Sequence, residues 1–253
     1  MMEENLMKGP GESELKLYLQ SKHDTKTSKI VGAESLSRFV TGEGSVVMPS
    51  EYIDEFEQTG KIIELDFCML ELVLKFLQES KKQKNKLVPV SVNFSKKTLT
   101  DDGVLERIRT LVENYDVSPE FLEIEITELH AFHDYERAKE VIDGIRKIGC
   151  SVSIDDYGKN SSAFSIIRRV DIDTLKIDRS IIVESEFSEK TYIIFDSVVK
   201  LAKKLKLTVV AEGVETDEQL KIAKKVGCDA IQGWYFSKAV PVDEFKNSLK
   251  LNV

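Results

Sequence analysis

The sequence of 253 residues lacks an apolar run long enough to cross a bilayer, and its start shows no signal-peptide pattern. Cysteine is also scarce: Cys68, Cys150 and Cys228 are odd in number and show no Cys-x-x-Cys spacing. This usage predicts free thiols in a reducing compartment and no disulfide framework. We therefore expect a cytoplasmic protein whose chain makes no membrane contact of its own.

Positive charge is in deficit, since 36 Lys and Arg residues stand against 44 Asp and Glu residues, for a net charge of -8. Nucleic-acid duplexes and anionic membranes are bound through clustered cations, so this balance argues against either as a partner. A small phosphorylated ligand held through metal ions stays open. Histidine is rare as well, and the positions of His23, His130 and His133 predict solvated surface residues.

Short apolar runs alternate with helical patterns along most of the chain. Eight runs have strand character, and they are residues 15–20, 29–39, 88–93, 121–127, 151–155, 174–178, 208–212 and 230–234. Helical spacing between them, with a capping box at Thr216 and Gln219, predicts that strands and helices alternate. This pattern predicts an α/β fold with a parallel sheet closed as a (β/α)8 barrel. The alternative is a doubly wound open sheet, but no glycine-rich phosphate turn follows the first strand.

The domain organisation follows from the first residues. Residues 1–13 are polar, with Gly9, Pro10 and Gly11 close together, which is typical of a tail or the remnant of a linker. The rest of the chain, residues 14–253, is expected to form the single barrel domain.

Polar groups stand near the carboxyl ends of most strand candidates, where a (β/α)8 barrel carries its active site. They are Asn93, Glu125, Asp155, Asp156, Lys176, Glu212 and Gln232, and the second strand carries Glu34. A single acid at a strand end is often a helix cap or a turn former. Capping explains the whole set poorly, because caps need one acid per helix and not a convergent group.

Five carboxylates in one cup cannot all stay ionised without cations beside them. Lys176 supplies one positive charge, although an ordinary structural ion pair is the alternative for that residue. Divalent ions would supply the rest, and an all-oxygen ligand set favours Mg²⁺ or Mn²⁺ over zinc. The neighbours Asp155 and Asp156 would let one carboxylate bridge two ions while the other binds one. Two such ions are the usual apparatus for the attack of water on a phosphodiester.

A second chemistry fits the same acids, namely a barrel enzyme that uses Mg²⁺ to stabilise an enolate. Arg38 weighs against it, because this guanidinium lies close to Glu34 in the sequence and suits a phosphate group.

The ordered segments AESLSRF, VSVNFS, LEIEITE, SIDDYG, TLKIDRS, VVAEGVET and IQGWYFS resemble the motif set of the EAL-domain cyclic di-GMP phosphodiesterases. The resemblance covers residues 15–249, nearly the whole chain. It implies a modified TIM barrel that hydrolyses cyclic di-GMP to the linear dinucleotide pGpG with two Mg²⁺ or Mn²⁺ ions. It also implies a homodimer.

The resemblance further implies roles for individual residues. The signature glutamate is Glu34, and the other implied metal ligands are Asn93, Glu125, Asp155, Asp156 and Glu212. Lys176 matches the lysine that orients or activates the attacking water, so Glu34, Lys176 and Glu212 are the expected catalytic residues. The implied substrate contacts are Gln20, Leu36, Arg38, Glu215 and Gln232. Glu128 matches the glutamate that braces the loop after Asp156.

The chain departs from the family pattern in the loop that follows Gly158. Residues 159–163 keep the usual length but lack the second glycine and the tyrosine of the family. A catalytically weak or silent cyclic di-GMP receptor is therefore the alternative function. Residues 1–13 resemble the segment that joins a sensor or cyclase domain to such a barrel, so we expect the chain to be part of a longer protein.

Overall fold

The structure is a computed structural model that describes residues 7–126, 135–158 and 168–251. One sheet contains the strands β1 (Glu14–Asp24), β2 (Ile30–Val40), β3 (Val46–Val47), β4 (Val90–Phe94), β5 (Leu122–Ile126), β6 (Ser151–Tyr157), β7 (Thr174–Ile177), β8 (Thr208–Ala211), β9 (Ala230–Ile231) and β10 (Val240–Pro241). The α-helices of these ranges are α1 (Ile53–Thr59), α2 (Ile62–Lys82), α3 (Lys96–Leu99), α4 (Val104–Asn114), α5 (Tyr135–Ile148), α6 (Arg179–Glu184), α7 (Glu189–Lys204), α8 (Asp217–Val226) and α9 (Val242–Leu251).

Eight of the strands close into a barrel. From β2 through β4 to β9 each strand pairs in parallel with the next, and β1 closes the circle by pairing with both β9 and β2. The predicted modified barrel is confirmed, but β1 is antiparallel to both of its neighbours. Residues 25–29 alone join β1 to β2, and a connection of that length can only reverse the chain, since a parallel crossover needs about a dozen residues or more.

The helices cover the outside of the barrel and bury the apolar faces of the strands. Strand β5 illustrates the pattern: Leu122, Ile124 and Ile126 are buried on one face, while Glu123 and Glu125 alternate with them. Helix α8 begins at the predicted capping box of Thr216 and Gln219. In the described ranges, no helix has both the length and the apolar character that a membrane crossing requires.

The barrel interior contains a charged layer below the strand ends. Lys22 of β1 reaches across to Glu123, with 2.7 Å between Nζ and Oε1, and also donates to Ser91 Oγ at 3.1 Å. Thr174 Oγ1 donates to the other oxygen of Glu123 at 3.0 Å. Such interiors are usually filled by branched apolar side chains. Because Lys22 and Glu123 are both buried, each depends on the other to offset its loss of hydration.

His23 corrects one prediction. It is only 7% exposed, and its ring stacks on Phe236 with 4.1 Å between centroids. The prediction of a solvated side chain is wrong at this residue, because the turn after β9 folds back over β1. His130 and His133 lie outside the described residues.

Candidate active site

The carboxyl ends of the parallel strands bring the predicted polar residues together in one acidic cup. We use this name for Glu34, Asn93, Glu125, Asp155, Asp156, Lys176 and Glu212. In the sheet register Asn93 is level with Glu125, and Glu125 is level with Ser153, two residues before Asp155. Glu212 directly follows β8. Glu34 lies within β2 and not at its end, opposite Gln20 of β1.

Lys176 is the central cation of the cup and is only 1% exposed. Its Nζ lies 2.6 Å from Glu212 Oε1 and 3.4 Å from both Glu34 Oε2 and Asp155 Oδ1. It also contacts Glu125 Oε1. Four carboxylates therefore share one ammonium group.

The pKa values of the cup reflect this imbalance. Burial acts to lower the pKa of Lys176, but the surrounding carboxylates outweigh it and raise that pKa well above its ordinary value. Burial, and then the charge of Glu34, raise the pKa of Glu125 to about 8. Burial also raises the pKa of Glu212 well above its ordinary value. The cup thus has more acidic groups than its lysine can keep ionised, which favours the uptake of protons or of a further cation.

Two sets of oxygens are close enough to hold metal ions. Carboxylate oxygens of Glu34, Glu125 and Glu212 lie within 4.8 Å of one another, and those of Asp155, Asp156 and Glu212 form a second such set. The buried atoms Glu125 Oε2 and Asp155 Oδ1 accept no hydrogen bond and have only longer ion-pair contacts, from Lys22 Nζ at 4.0 Å and from Lys176 Nζ at 3.4 Å respectively. Buried carboxylate oxygens held only by such long contacts are incompletely satisfied, and a hard divalent ion binds oxygens of this kind. The residues present therefore fit a divalent metal ion.

A local irregularity lets two consecutive aspartates serve one site. Side chains of consecutive strand residues normally point to opposite faces. At the end of β6, however, Asp156 has a φ of 56°, and the pairing of β6 with β7 shifts register between Ile154 and Tyr157. This left-handed conformation is unfavourable for most residues and is tolerated better by Asp. It brings oxygens of both Asp155 and Asp156 close to Glu212.

Amide side chains fix the orientation of Glu34. Asn93 Nδ2 donates to Glu34 Oε1 at 3.0 Å, and Gln232 Nε2 donates to Glu34 Oε2 at 2.6 Å. Gln232 Nε2 also donates to Gln20 Oε1 at 3.0 Å. Both oxygens of Glu34 are therefore hydrogen-bonded, and Gln20 and Gln232 adjoin the cup.

Of the remaining predicted residues, Leu36, Arg38 and Glu215 lie in the described part of the chain. Leu36 and Arg38 follow Glu34 at alternate positions of β2, so they share its face. Arg38 Nη1 donates to the carbonyl of Ser37 at 2.7 Å. Glu215 forms an ion pair with Arg179 at 2.8 Å and faces that residue rather than the cup's lysine. Glu128 lies outside the described residues, as do residues 159–163.

Asp66 of α2 is a residue that the sequence analysis missed. It is 6% exposed, and its Oδ2 accepts hydrogen bonds from Ser95 N at 2.7 Å and Thr98 Oγ1 at 2.6 Å. Ser95 follows Asn93 by two residues, so Asp66 fixes the turn that leaves the cup. Burial raises the pKa of Asp66 to about 7. The sequence does not separate Asp66 from Glu64 and Glu71, two acids of the same helix that stay exposed or half-buried.

A closed α/β barrel with acids, an amide and a buried lysine at its strand ends defines a class of barrel proteins with a candidate metal-dependent site. The family model described as EAL domain matches residues 3–239, and the chain belongs to this family. The resemblance drawn from the motifs is thereby confirmed.

Relatives of known sequence and structure agree with this assignment. Signaling protein YkoW of Bacillus subtilis is 30% identical over 230 residues, which are 91% of this chain and 29% of that protein. Probable cyclic di-GMP phosphodiesterase PdeB of Escherichia coli is 32% identical over 217 residues, 86% of this chain and 41% of that protein. The structure of the PaMucR phosphodiesterase in a c-di-GMP complex is 26% identical with a TM-score of 0.85, and the match covers 91% of this chain and 94% of that one. The chain spans less than half the length of these two curated relatives.

Proposed function

We propose that the chain hydrolyses cyclic di-GMP to linear pGpG with the help of two Mg²⁺ or Mn²⁺ ions. One observation carries the proposal: a buried ammonium is shared by four carboxylates, and oxygens of these acids and of Asp156 form two sets that are close enough to hold metal ions. A group of buried charges this large is unfavourable for folding, which is typical of a site kept for chemistry. Membership of the EAL family and the names of PdeB and PaMucR support the choice of substrate.

The ligands proposed for the metal ions are Glu34, Asn93, Glu125, Asp155, Asp156 and Glu212. Glu212 contributes to both sets of close oxygens, so it would be available as a ligand in either set. When bound, the ions would supply Lewis-acid polarisation of a phosphate oxygen and a water of lowered pKa.

Lys176 is proposed to orient the attacking water. Its pKa is raised, so the side chain is an ammonium at neutral pH and donates hydrogen bonds rather than accepting a proton. The water oxygen forms a bond to one phosphorus as the bond from that phosphorus to a ribose oxygen of the ring breaks. A carboxylate of the cup would take the proton of the water and return it to the leaving oxygen, which becomes a hydroxyl as the ring opens to linear pGpG. Glu34 and Glu212, within reach of the same ammonium, complete the proposed catalytic set.

Substrate contacts are proposed at Gln20, Leu36, Arg38, Glu215 and Gln232. Arg38 suits a phosphate, because a guanidinium can donate two parallel hydrogen bonds to it. Leu36 offers an apolar surface beside the cup, next to a cavity of about 220 Å³ that it lines with Asn93 and Asp66. Glu128 is proposed to brace the loop after Asp156.

We further propose that residues 14–253 are the catalytic barrel and residues 1–13 a linker remnant. The protein would act in the cytoplasm as a homodimer, within a longer protein that carries a sensor or cyclase domain. Size-exclusion chromatography with light scattering tests the dimer, and a monomer mass at micromolar concentration would contradict it.

The competing function is a cyclic di-GMP receptor with little or no turnover. Residues 159–163 favour it, because they lack the glycine and tyrosine of the family pattern. Incubation of the purified chain with cyclic di-GMP and Mn²⁺, followed by chromatography, separates the two. The proposal expects pGpG from the native chain and none from an Asp155→Asn variant. Binding without product from either protein would establish the receptor, and absence of both binding and product would contradict both functions.

A further inference from the structure

The chain contains one tryptophan, and it lies exposed in the turn after β9. Trp234 is 62% exposed, whereas the two aromatic residues that follow it have partners. Tyr235 donates its hydroxyl to Asp217 Oδ1 at 2.7 Å, and Phe236 stacks on His23. The indole of Trp234 therefore presents a large aromatic surface to water, and this surface is available for contact with a ligand.

The turn that carries Trp234 is held at the rim of the acidic cup. Two residues earlier, Gln232 donates to Glu34 and Gln20, and two residues of chain span at most about 7 Å. The backbone is fixed by hydrogen bonds from Val214 N to Gln232 O at 3.2 Å and from Tyr235 N to Val214 O at 3.0 Å. A Cβ at Gly233 would lie 2.1 Å from Val214 O, so only glycine permits this close approach. The backbone of Trp234 is therefore held at a defined place, two residues from a side chain that contacts the cup.

Lys238 gives the same rim a positive charge. Its Nζ lies 4.8 Å from the centre of the Trp234 ring, a distance typical of a cation–π contact. An exposed indole beside an ammonium matches a planar base that carries a carbonyl group and is attached to a phosphate. Stacking on an aromatic ring is a general mode of base recognition.

We propose that Trp234 is a stacking platform for one guanine base of cyclic di-GMP, with Lys238 beside it. This inference rests on the proposed function, since it takes the same substrate at the same site. Because Trp234 would contact the base and not the reacting phosphate, it would contribute to substrate affinity and have little effect on kcat.

The single tryptophan makes the inference directly measurable, because all tryptophan emission of the chain comes from Trp234. Cyclic di-GMP is titrated into the native chain in Ca²⁺ buffer, where turnover is not expected, and binding is measured in parallel by equilibrium dialysis. The expected result is saturable quenching of tryptophan emission with the same midpoint as the dialysis curve. Binding in dialysis with unchanged emission would overturn the platform but leave the proposed function intact.

Variants separate stacking from a general effect on the turn. Trp234→Ala should raise KM and the dialysis Kd by about tenfold or more, with kcat within about twofold of native, as expected for the loss of one stacked base. Trp234→Phe should recover most of this loss. Tyr235→Phe is the matched control, because it removes a hydroxyl contact of the same turn but keeps Trp234. An unchanged KM in Trp234→Ala, or an equal loss in the control, would overturn the inference. Absence of binding by the native chain in dialysis would overturn the proposed function, and the inference with it.

Discussion

At the scale of single residues, one ammonium group is shared by the acids of the acidic cup and balances only part of their charge. Lys176 is a compact point charge with three donors, which suits four carboxylates that approach from different strands. An arginine would offer a flat fork that pairs best with one carboxylate at a time. The identity of this residue therefore follows from the number of acids around it.

Replacement of Lys176 should affect chemistry rather than binding. Lys176→Ala removes the donor proposed to orient the water, and we expect kcat to fall by about 10²-fold or more while the affinity for cyclic di-GMP in Ca²⁺ changes little. Arg38→Ala is the matched comparison, because Arg38 is assigned to a substrate phosphate and its loss should mainly raise KM. Steady-state kinetics together with equilibrium dialysis measure both. If the two variants lose affinity equally and keep kcat, Lys176 is a binding residue and the assignment is wrong.

At the scale of elements, helix α2 fixes the position of the chain directly after strand β4. The carboxylate of Asp66 is the link, since it bonds the backbone of Ser95 and the side chain of Thr98 at the start of α3. Because Asn93 lies two residues before Ser95, this contact fixes the chain just after a proposed metal ligand.

The buried carboxylate of Asp66 should also give folding a pH dependence. Burial raises its pKa from 3.8 to about 7, so the folded chain binds this proton more tightly than the unfolded chain does. This group's contribution to the free energy of unfolding should therefore decrease as pH rises from about 4 to about 7, by at most about 4 kcal/mol. Urea unfolding at several pH values gives the free energy of unfolding of the native protein and of Asp66→Asn. Their difference isolates Asp66, because all other titrating groups are present in both proteins. If this difference in free energy of unfolding stays constant with pH, the pKa of Asp66 is not raised by burial.

The elements also show how far the sequence predicts this molecule. Alternating patterns predicted the barrel and the set of strand ends, because buried strands and amphipathic helices leave distinct periodicities. The antiparallel β1 was not predicted, although the short connection at residues 25–29 indicated it. The left-handed Asp156 could not be predicted, because its conformation is imposed by the β6–β7 pairing and not by residue type. The distances around Lys176 could not be predicted either, because they join side chains of strands that are far apart in the sequence.

At the scale of the whole molecule, divalent ions should stabilise the fold as well as support turnover. Ligands that bind only the folded chain add about 2.7 kcal/mol at a concentration of 100 times Kd. We expect Mg²⁺ or Mn²⁺ to raise the Tm of the native chain and to have little effect on Asp155→Asn. Glu14→Gln is a suitable control, because Glu14 is an exposed acid outside the cup. Thermal unfolding at several metal concentrations gives the comparison.

Activity should follow the same ions. Excess chelator should abolish turnover, and Ca²⁺ should bind without supporting it, because its longer and looser coordination misplaces the water. Product formation measured by chromatography in each metal tests this, and turnover that persists in chelator would rule out a metal-dependent reaction.

Because β1 is antiparallel to its neighbours, a segment that precedes it joins the barrel at a different face than in an all-parallel barrel. In a barrel built only of parallel strands, the first strand begins at the face opposite the active site. Here Glu14 pairs with Val40, at the carboxyl end of β2, so β1 begins on the catalytic side. Any polypeptide that precedes Glu14 is therefore attached on the active-site side of the barrel and not on the opposite face.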